Sequence, residues 1–98
     1  MSEVLRGIRG FQWDQWNLGK NERKHGVTDR ESEEIFFNEP LVIARSAKGS
    51  PEIRYAALGK TYGSRLLVVV FTLRGNRIRV ISARPMSRSE RELYEKET

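Results

Sequence analysis

The chain has no cysteine, only three prolines and no long hydrophobic run. Without thiols it has no disulfide scaffold, no zinc–thiolate or iron–sulfur centre and no cysteine nucleophile. The longest uninterrupted apolar run, residues 66–71, has six residues, whereas a membrane-spanning helix needs about 18. Residues 1–20 lack the apolar stretch of a secretory signal. We therefore expect a cytoplasmic protein that does not associate with membranes.

The length and composition are those of one small globular domain. A chain of 98 residues with 38% hydrophobic and 32% charged residues can bury about two-thirds of its unfolded surface, so it needs no covalent or metal staple. No internal repeat, low-complexity tract or linker divides it. We expect residues 1–98 to form a single domain.

Positive charge is concentrated in one half of the chain. Residues 41–91 contain eleven Lys and Arg against two Asp and Glu, while the flanking segments are slightly acidic and the whole chain carries +5. Nine of those eleven cations are arginines, whose planar forks suit bidentate contacts with phosphate. This pattern favours a nucleic-acid partner; a basic composition that serves solubility alone is the alternative.

Local signals predict the element order β-α-α-β-β-β-β-α. Asp14 is a candidate N-cap for a helix that ends at His25 before Gly26. Thr-x-x-Glu at 28–31 and Ser-x-x-Glu at 87–90 have the form of capping boxes that open two further helices. Short alternating or β-branched runs bounded by turn residues predict strands over 11–13, 41–45, 53–58, 65–73 and 78–83.

These elements predict an α+β fold: two N-terminal helices, an antiparallel sheet of about four strands and a short C-terminal helix. Residues 66–71 are apolar on both faces, which predicts the central strand. Strict alternation in the next strand places Arg79 on one face and Arg84 on the other. Cations on a sheet face are held in fixed geometry, as a phosphate-binding surface requires.

Several motifs, in order along the chain, resemble the BrnT family. They are Trp13-Asp14, Asn21-x-x-Lys24-His25-Gly26-Val27, Glu52-x-Arg54-Tyr55, the apolar run 66–71, Arg79-x-Ile81-Ser82-Ala83-Arg84 and Glu90-x-x-x-Tyr94. The resemblance implies a RelE-like ribonuclease fold and a toxin of a type II toxin–antitoxin module that inhibits growth and translation by cleaving RNA. It also implies a cognate antitoxin, a small DNA-binding protein of the BrnA type.

RNA cleavage without metal needs a base for the 2′-hydroxyl, donors for the charge on the phosphorane and an acid for the leaving oxygen. The acidic residues show no metal-ligand spacing and there is one histidine, so we expect neither metal nor cofactor. Imidazole ordinarily titrates near neutral pH, which makes His25 a candidate catalyst. A histidine just before a helix-terminating glycine is equally typical of a C-terminal cap.

The arginines are the stronger candidates for catalysis. Those in or beside strands can present forks to phosphate oxygens; they are Arg54, Arg74, Arg79 and Arg84. For any single one, an ion pair or a solvated position is an equally good interpretation. Predicted RNA contacts are Lys24, Glu52, Tyr55 and Tyr94.

Among those predicted contacts, Glu52 is a possible base, although orienting Arg54 is its more natural role. The tyrosines can stack on unpaired bases, while core packing is an equal alternative for Tyr55. Composition alone favours a different class of protein, a basic nucleic-acid-binding or protein-interaction module without chemistry.

Overall fold

The computed structural model describes residues 3–46 and 51–98, which fold around one sheet. Its helices are α1 (Lys20–His25), α2 (Asp29–Glu34) and α3 (Arg88–Glu97). Its strands are β1 (Gly10–Phe11), β2 (Val42–Arg45), β3 (Tyr55–Lys60), β4 (Leu66–Arg74) and β5 (Arg77–Pro85). Short 3-10 helices cover Glu3–Leu5 and Ile35–Phe37. Within these described ranges, no helix is long and apolar enough to cross a bilayer.

The sheet has five strands in the order β1-β5-β4-β3-β2. The predicted α+β class is confirmed, but the sheet is mixed and not purely antiparallel, because β1 pairs parallel to β5 through Gly10↔Arg77 and Phe11↔Ile78. The other neighbours pair antiparallel. A two-residue strand has no turn that joins it to its partner, so local sequence does not specify this pairing. The N-terminal segment thereby lies beside β5.

Helix boundaries follow the local capping signals at two of three starts. Both predicted capping boxes form, at Thr28 for α2 and at Ser87 for α3. The prediction for α1 is wrong at its start: Asp14 accepts a hydrogen bond from the Trp16 amide at 2.9 Å and closes a turn, not a helix. The helix begins at Lys20, because Gly19 before it adopts a left-handed conformation with a φ of 70° that a right-handed helix does not contain.

Both faces of the sheet are buried over part of their area. One face packs against the 3-10 helix Ile35–Phe37 and the N-terminal segment through a core that includes Ile35, Leu67, Val69 and Phe71. On the other face, α3 inserts Tyr94 over a second cluster that contains Val68. Because β4 contributes alternate side chains to both clusters, its predicted central position is confirmed. The remainder of the second face is polar.

A β-bulge in β5 changes which side chains share a face. Val70 pairs with Ser82 and Phe71 pairs with Val80, so Ile81 is an extra residue in the ladder. Beyond Ile81, each side chain of β5 therefore points to the face of the sheet opposite to the one that strict alternation predicts. The predicted separation of Arg79 from Arg84 is therefore wrong: both point to the face that carries α3 and the polar surface, opposite the larger core.

Candidate functional site

A small cleft of about 180 Å³ opens on the polar part of this face. Four cations line it, and we call it the cation cleft; they are Lys20, Arg54, Arg74 and Arg79. Arg79 comes from β5, Arg74 from the end of β4, Arg54 from the residue before β3 and Lys20 from the first residue of α1. The structure thus brings together three of the four arginines predicted to contact phosphate.

Two hydrogen bonds fix the walls of the cation cleft. Thr72, the cross-strand partner of Arg79, donates its hydroxyl to the Ile53 carbonyl at 2.8 Å and ties β4 to the segment that carries Arg54. The Lys20 ammonium donates to the carbonyl of the bulged Ile81 at 2.7 Å. The bulge therefore does two things: it keeps a cation at the cleft and sets the face of the strand beyond it.

Two arginines of the cation cleft are held by carboxylates in fork-to-fork contacts. Arg79 donates through Nη1 to Asp14 Oδ2 at 2.8 Å and through Nη2 to Oδ1 at 3.2 Å. Arg74 donates through Nε to Glu52 Oε2 at 2.5 Å and through Nη2 to Oε1 at 3.0 Å. The sequence predicted that Glu52 orients Arg54; the hydrogen bonds of its carboxylate go to Arg74, and Arg54 lies close enough to lower the pKa of Glu52 by charge attraction. Such paired bonds fix the plane of each guanidinium as well as its position.

These contacts favour the ionised form of both carboxylates. The hydrogen bond from Arg79 lowers the pKa of Asp14, and the hydrogen bond from Arg74 lowers the pKa of Glu52. The arginines are thus oriented by charged partners whose own oxygens are occupied. A carboxylate with a lowered pKa is a weak proton acceptor, which argues against Glu52 as the base.

Lys20 and Arg54 differ from the other two cations because neither forms a fork-to-fork pair with a carboxylate of the described residues. Desolvation lowers the pKa of Lys20, and Lys24, Arg79 and Arg54 add to this by charge repulsion. Within the part of the chain that the structure describes, the buried Nε of Arg54 has no hydrogen-bond partner. Closely spaced cations without full compensation create a positive potential that suits an anion.

Two predicted catalytic residues lie outside the cation cleft lining. His25 is the last residue of α1 and is exposed, beside the left-handed Gly26 that ends the helix. Arg84 forms a fork-to-fork pair with Glu90 at 2.7 and 2.8 Å, at the first turn of α3. That hydrogen bond holds the pKa of Glu90 at about 2, well below its usual range. The contact of Arg84 therefore joins β5 to α3.

The structure places the residues predicted to contact RNA in different environments, some exposed and some packed. Lys24 is exposed on α1, near enough to repel Lys20. Tyr55 stacks on Phe71 with ring centroids 5.4 Å apart, and Tyr94 is 4% exposed with its hydroxyl donating to the Pro40 carbonyl. Both rings are engaged in packing, so the predicted stacking of Tyr94 on an unpaired base is wrong for this arrangement.

Sequence reasoning missed Lys20, Asp14 and Trp16 as parts of this site. Lys20 and Trp16 depend on the path of the turn 15–19, Asp14 directly precedes that turn, and all three follow the pairing of β1 with β5. A buried side chain holds that turn: Asn17 donates to the carbonyls of Gln12 and Val80, each at 3.1 Å. In the sequence, the asparagine between two hydrophobic residues was the signal that could have indicated this anchored turn. In the described residues, no group of three or more acidic or histidine side chains is placed to hold a metal ion.

Comparisons with known proteins agree with this architecture. Residues 13–90 match the family model described as "Ribonuclease toxin, BrnT, of type II toxin-antitoxin system", a span that includes the whole cation cleft. The fold is similar to the crystal structure of the Brucella abortus ribonuclease toxin BrnT, with a TM-score of 0.59 and 24% identity over 83% of this chain and 100% of that chain. That likeness shows a shared fold. No curated protein matches the chain in sequence.

Proposed function

This chain belongs to the BrnT family of ribonuclease toxins of type II toxin–antitoxin systems, and we propose that it cleaves RNA at the cation cleft without a metal ion. The observation that carries the proposal is the convergence of Lys20, Arg54, Arg74 and Arg79 on one small cleft. A phosphodiester gains negative charge in its transition state, and fixed donors aimed at that charge supply the largest part of many rate enhancements.

The proposed reaction uses the 2′-hydroxyl of the RNA as the nucleophile. Its oxygen forms a bond to phosphorus, the bond from phosphorus to the 5′-oxygen breaks, and the products are a 2′,3′-cyclic phosphate and a 5′-hydroxyl. The proton leaves the 2′-oxygen for a base and the 5′-oxygen receives one from an acid. The positions of Arg79 and Arg54 in the cleft suit them to donate to the non-bridging oxygens. Lys20 adds charge beside them.

The assignment of the base stays a prediction. His25 lies on the exposed end of α1, and Lys20 has a lowered pKa within the cation cleft. Each has a measurable signature. The base must be deprotonated to act, so its titration produces the acidic limb of the pH–rate profile. Loss of that limb in His25→Ala would support histidine as the base, and its loss in Lys20→Met would support lysine.

Cleavage of labelled RNA with matched arginine variants tests the proposed site. Arg54→Ala and Arg79→Ala should each lower the cleavage rate by about 10²- to 10³-fold, the effect of removing one transition-state donor. Arg91→Ala is the control, because Arg91 is exposed on α3 and does not line the cation cleft. Equal activity of all three variants would contradict the site, provided that circular dichroism shows the same fold.

A chelator tests the absence of a metal from the reaction. Activity should persist in EDTA at the level found without it, because the proposed charge stabilisation comes from guanidinium groups. Loss of cleavage in EDTA and its return with Mg²⁺ would contradict the metal-independent mechanism. Binding of RNA with no cleavage under any condition would instead favour the alternative, a basic nucleic-acid-binding or interaction module.

We further infer that a cognate antitoxin of the BrnA type covers the cation cleft and that the free toxin arrests growth in the cytoplasm, where its RNA substrate lies. A surface with several cations attracts an acidic segment of a partner, and such steering speeds association. Arg54→Ala should relieve growth arrest on induction, while Arg91→Ala should not. Simultaneous binding of antitoxin and RNA would contradict a shared surface. Kinship with RelE-like ribonucleases stays a prediction.

A further inference from the structure

Trp16 is the most exposed large hydrophobic side chain in the described residues, at 73%. It lies at the cation cleft, among the charged groups that line it. The other tryptophan behaves as a structural residue: Trp13 packs against the larger core and donates its indole N–H to Glu33 at 2.6 Å. Packing therefore explains the ring of Trp13 and leaves the exposed ring of Trp16 without an explanation.

The backbone of Trp16 is fixed by the same residues that build the cation cleft. Its amide donates to Asp14 Oδ1 at 2.9 Å, and that carboxylate also holds Arg79. The next residue, Asn17, is buried and bonded to β5. An aromatic ring on an anchored turn loses little conformational freedom when a ligand stacks on it, which favours binding.

The dimensions of the cation cleft decide which part of a nucleotide enters it. Its volume of about 180 Å³ is below the range of about 300–1,000 Å³ for pockets that enclose a drug-sized ligand. A phosphate fits among the cations, and the base attached to that nucleotide must then remain at the rim. Trp16 is the aromatic side chain that the structure places at that rim.

We propose that Trp16 is a base-stacking platform, on which an unpaired nucleobase lies while the adjoining phosphate occupies the cation cleft. The inference rests on the proposed function and narrows its substrate to single-stranded RNA. Duplex RNA hides its base faces within the stack and is recognised through its backbone, so it gains nothing from the indole. Stacking tolerates all four bases, because each has a π face.

Binding is measured with a single-stranded RNA oligonucleotide that carries 2′-fluoro groups, because it lacks the nucleophile and cannot be cleaved. Trp16→Ala should weaken its affinity by roughly 5- to 150-fold, the measured range for one base stacked on an aromatic side chain. Trp16→Phe should recover most of the loss. Phe37→Ala is the matched control, since Phe37 is 68% exposed but lines apolar grooves away from the cation cleft.

Two further ligands separate stacking from charge. Affinity for the same sequence as a 2′-fluoro duplex, and for inorganic tripolyphosphate, should change less than about twofold in Trp16→Ala, because neither offers a base face. Quenching of tryptophan fluorescence by the single strand in the parent protein, absent in Trp16→Phe, should accompany binding.

The outcomes distinguish this inference from the proposed function. Unchanged single-strand affinity in Trp16→Ala would overturn the platform, while cleavage by the parent protein would leave the proposed function standing. An equal loss for tripolyphosphate would also overturn it, since the substitution would then act through the cations. Loss of antitoxin binding alone would assign the indole to a protein contact instead. A parent protein that neither binds nor cleaves RNA would remove both.

Discussion

The ion pair between Arg84 and Glu90 gives the sharpest quantitative test of the structure. Replacing Glu90 with glutamine removes the charge but keeps a side chain that can serve as the third residue of the capping box with Ser87. The substitution therefore isolates the pair with Arg84, whose two hydrogen bonds measure 2.7 and 2.8 Å. Its effect should appear in the free energy of unfolding and depend on pH.

The magnitude follows from the pKa of Glu90, which falls from its ordinary 4.5 to about 2 chiefly through the hydrogen bond from Arg84. At about 1.4 kcal/mol per pKa unit, this shift has an upper limit of about 3 kcal/mol. The side chains of Arg84 and Glu90 are 40% and 26% exposed, so solvent screening reduces the value to about 1–2 kcal/mol. For a chain of this size that corresponds to a fall in Tm of about 5–10 °C.

The pH dependence has a definite sign. Because the pKa of Glu90 is lower in the folded than in the unfolded protein, its stabilisation is complete above pH 4.5 and is lost as the pH falls toward 2. Urea unfolding at several pH values should show a difference between parent and Glu90→Gln that is full at pH 7 and shrinks below pH 4.5. Glu92→Gln is the control, because its pair with Arg88 is 3.6 Å long and exposed.

A difference that stays constant from pH 7 to pH 3, or one no larger than that of Glu92→Gln, would refute this reasoning. The same measurement bears on the predicted catalytic role of Arg84. Arg84→Ala should lose similar stability, because it breaks the same pair. If its cleavage rate, measured where the protein is fully folded, matches that of Arg91→Ala, the contribution of Arg84 is structural.

Three further changes have effects that the structure specifies. In filter binding, the logarithm of the affinity for single-stranded RNA should fall with the logarithm of the salt concentration, with a slope of about −0.7 per phosphate neutralised. Lys20→Met should reduce the magnitude of that slope by about 0.7, and an unchanged slope would place Lys20 away from the phosphate. Gly59→Ala should lower the free energy of unfolding in urea by about 1–3 kcal/mol through overpacking, because its new Cβ would lie 3.0 Å from the Cβ of Ile35. Gly63→Ala should lower it less, because the nearest atom to its new Cβ lies 3.8 Å away. Asn17→Ala should destabilise by about 1–3 kcal/mol, because it leaves buried carbonyls unpaired; a neutral result would contradict the anchored turn.

Local signals predicted the parts of the fold that local chemistry controls. The capping boxes at Thr28 and Ser87 and the left-handed Gly26 each satisfy backbone groups within one helical turn, so a short window of sequence is sufficient to predict them. The bulge at Ile81 is different. Val80 and Ile81 are both apolar, and their pattern does not reveal which of them is paired; the register of β4 decides it.

The candidate site, like the fold, was predictable from the sequence only in part. Arg74 and Arg79 lie on β4 and β5, and Arg54 directly precedes β3. A hairpin meander places these three strands side by side, so the convergence of the arginines follows from strand order and side-chain parity. Lys20 and Trp16 reach the cation cleft only because β1 pairs with β5 and Gly19 delays the helix. The pairing of β1 with β5 is not encoded in the few residues around them.

Carboxylates of the described residues hold some cations of the cation cleft in a fixed plane and not others, and this difference bears on the proposed reaction. Asp14 fixes the plane of Arg79, so in the proposed reaction this arginine would meet the phosphorane already oriented and would lose little freedom. Arg54 forms no such fork-to-fork pair among the described residues, and its buried Nε has no hydrogen-bond partner there. In the proposed reaction we therefore expect substrate capture to depend more on Arg54 and transition-state geometry more on Arg79. Because the Asp14 carboxylate also holds the Trp16 amide, one side chain aligns the fixed donor with the ring at the rim.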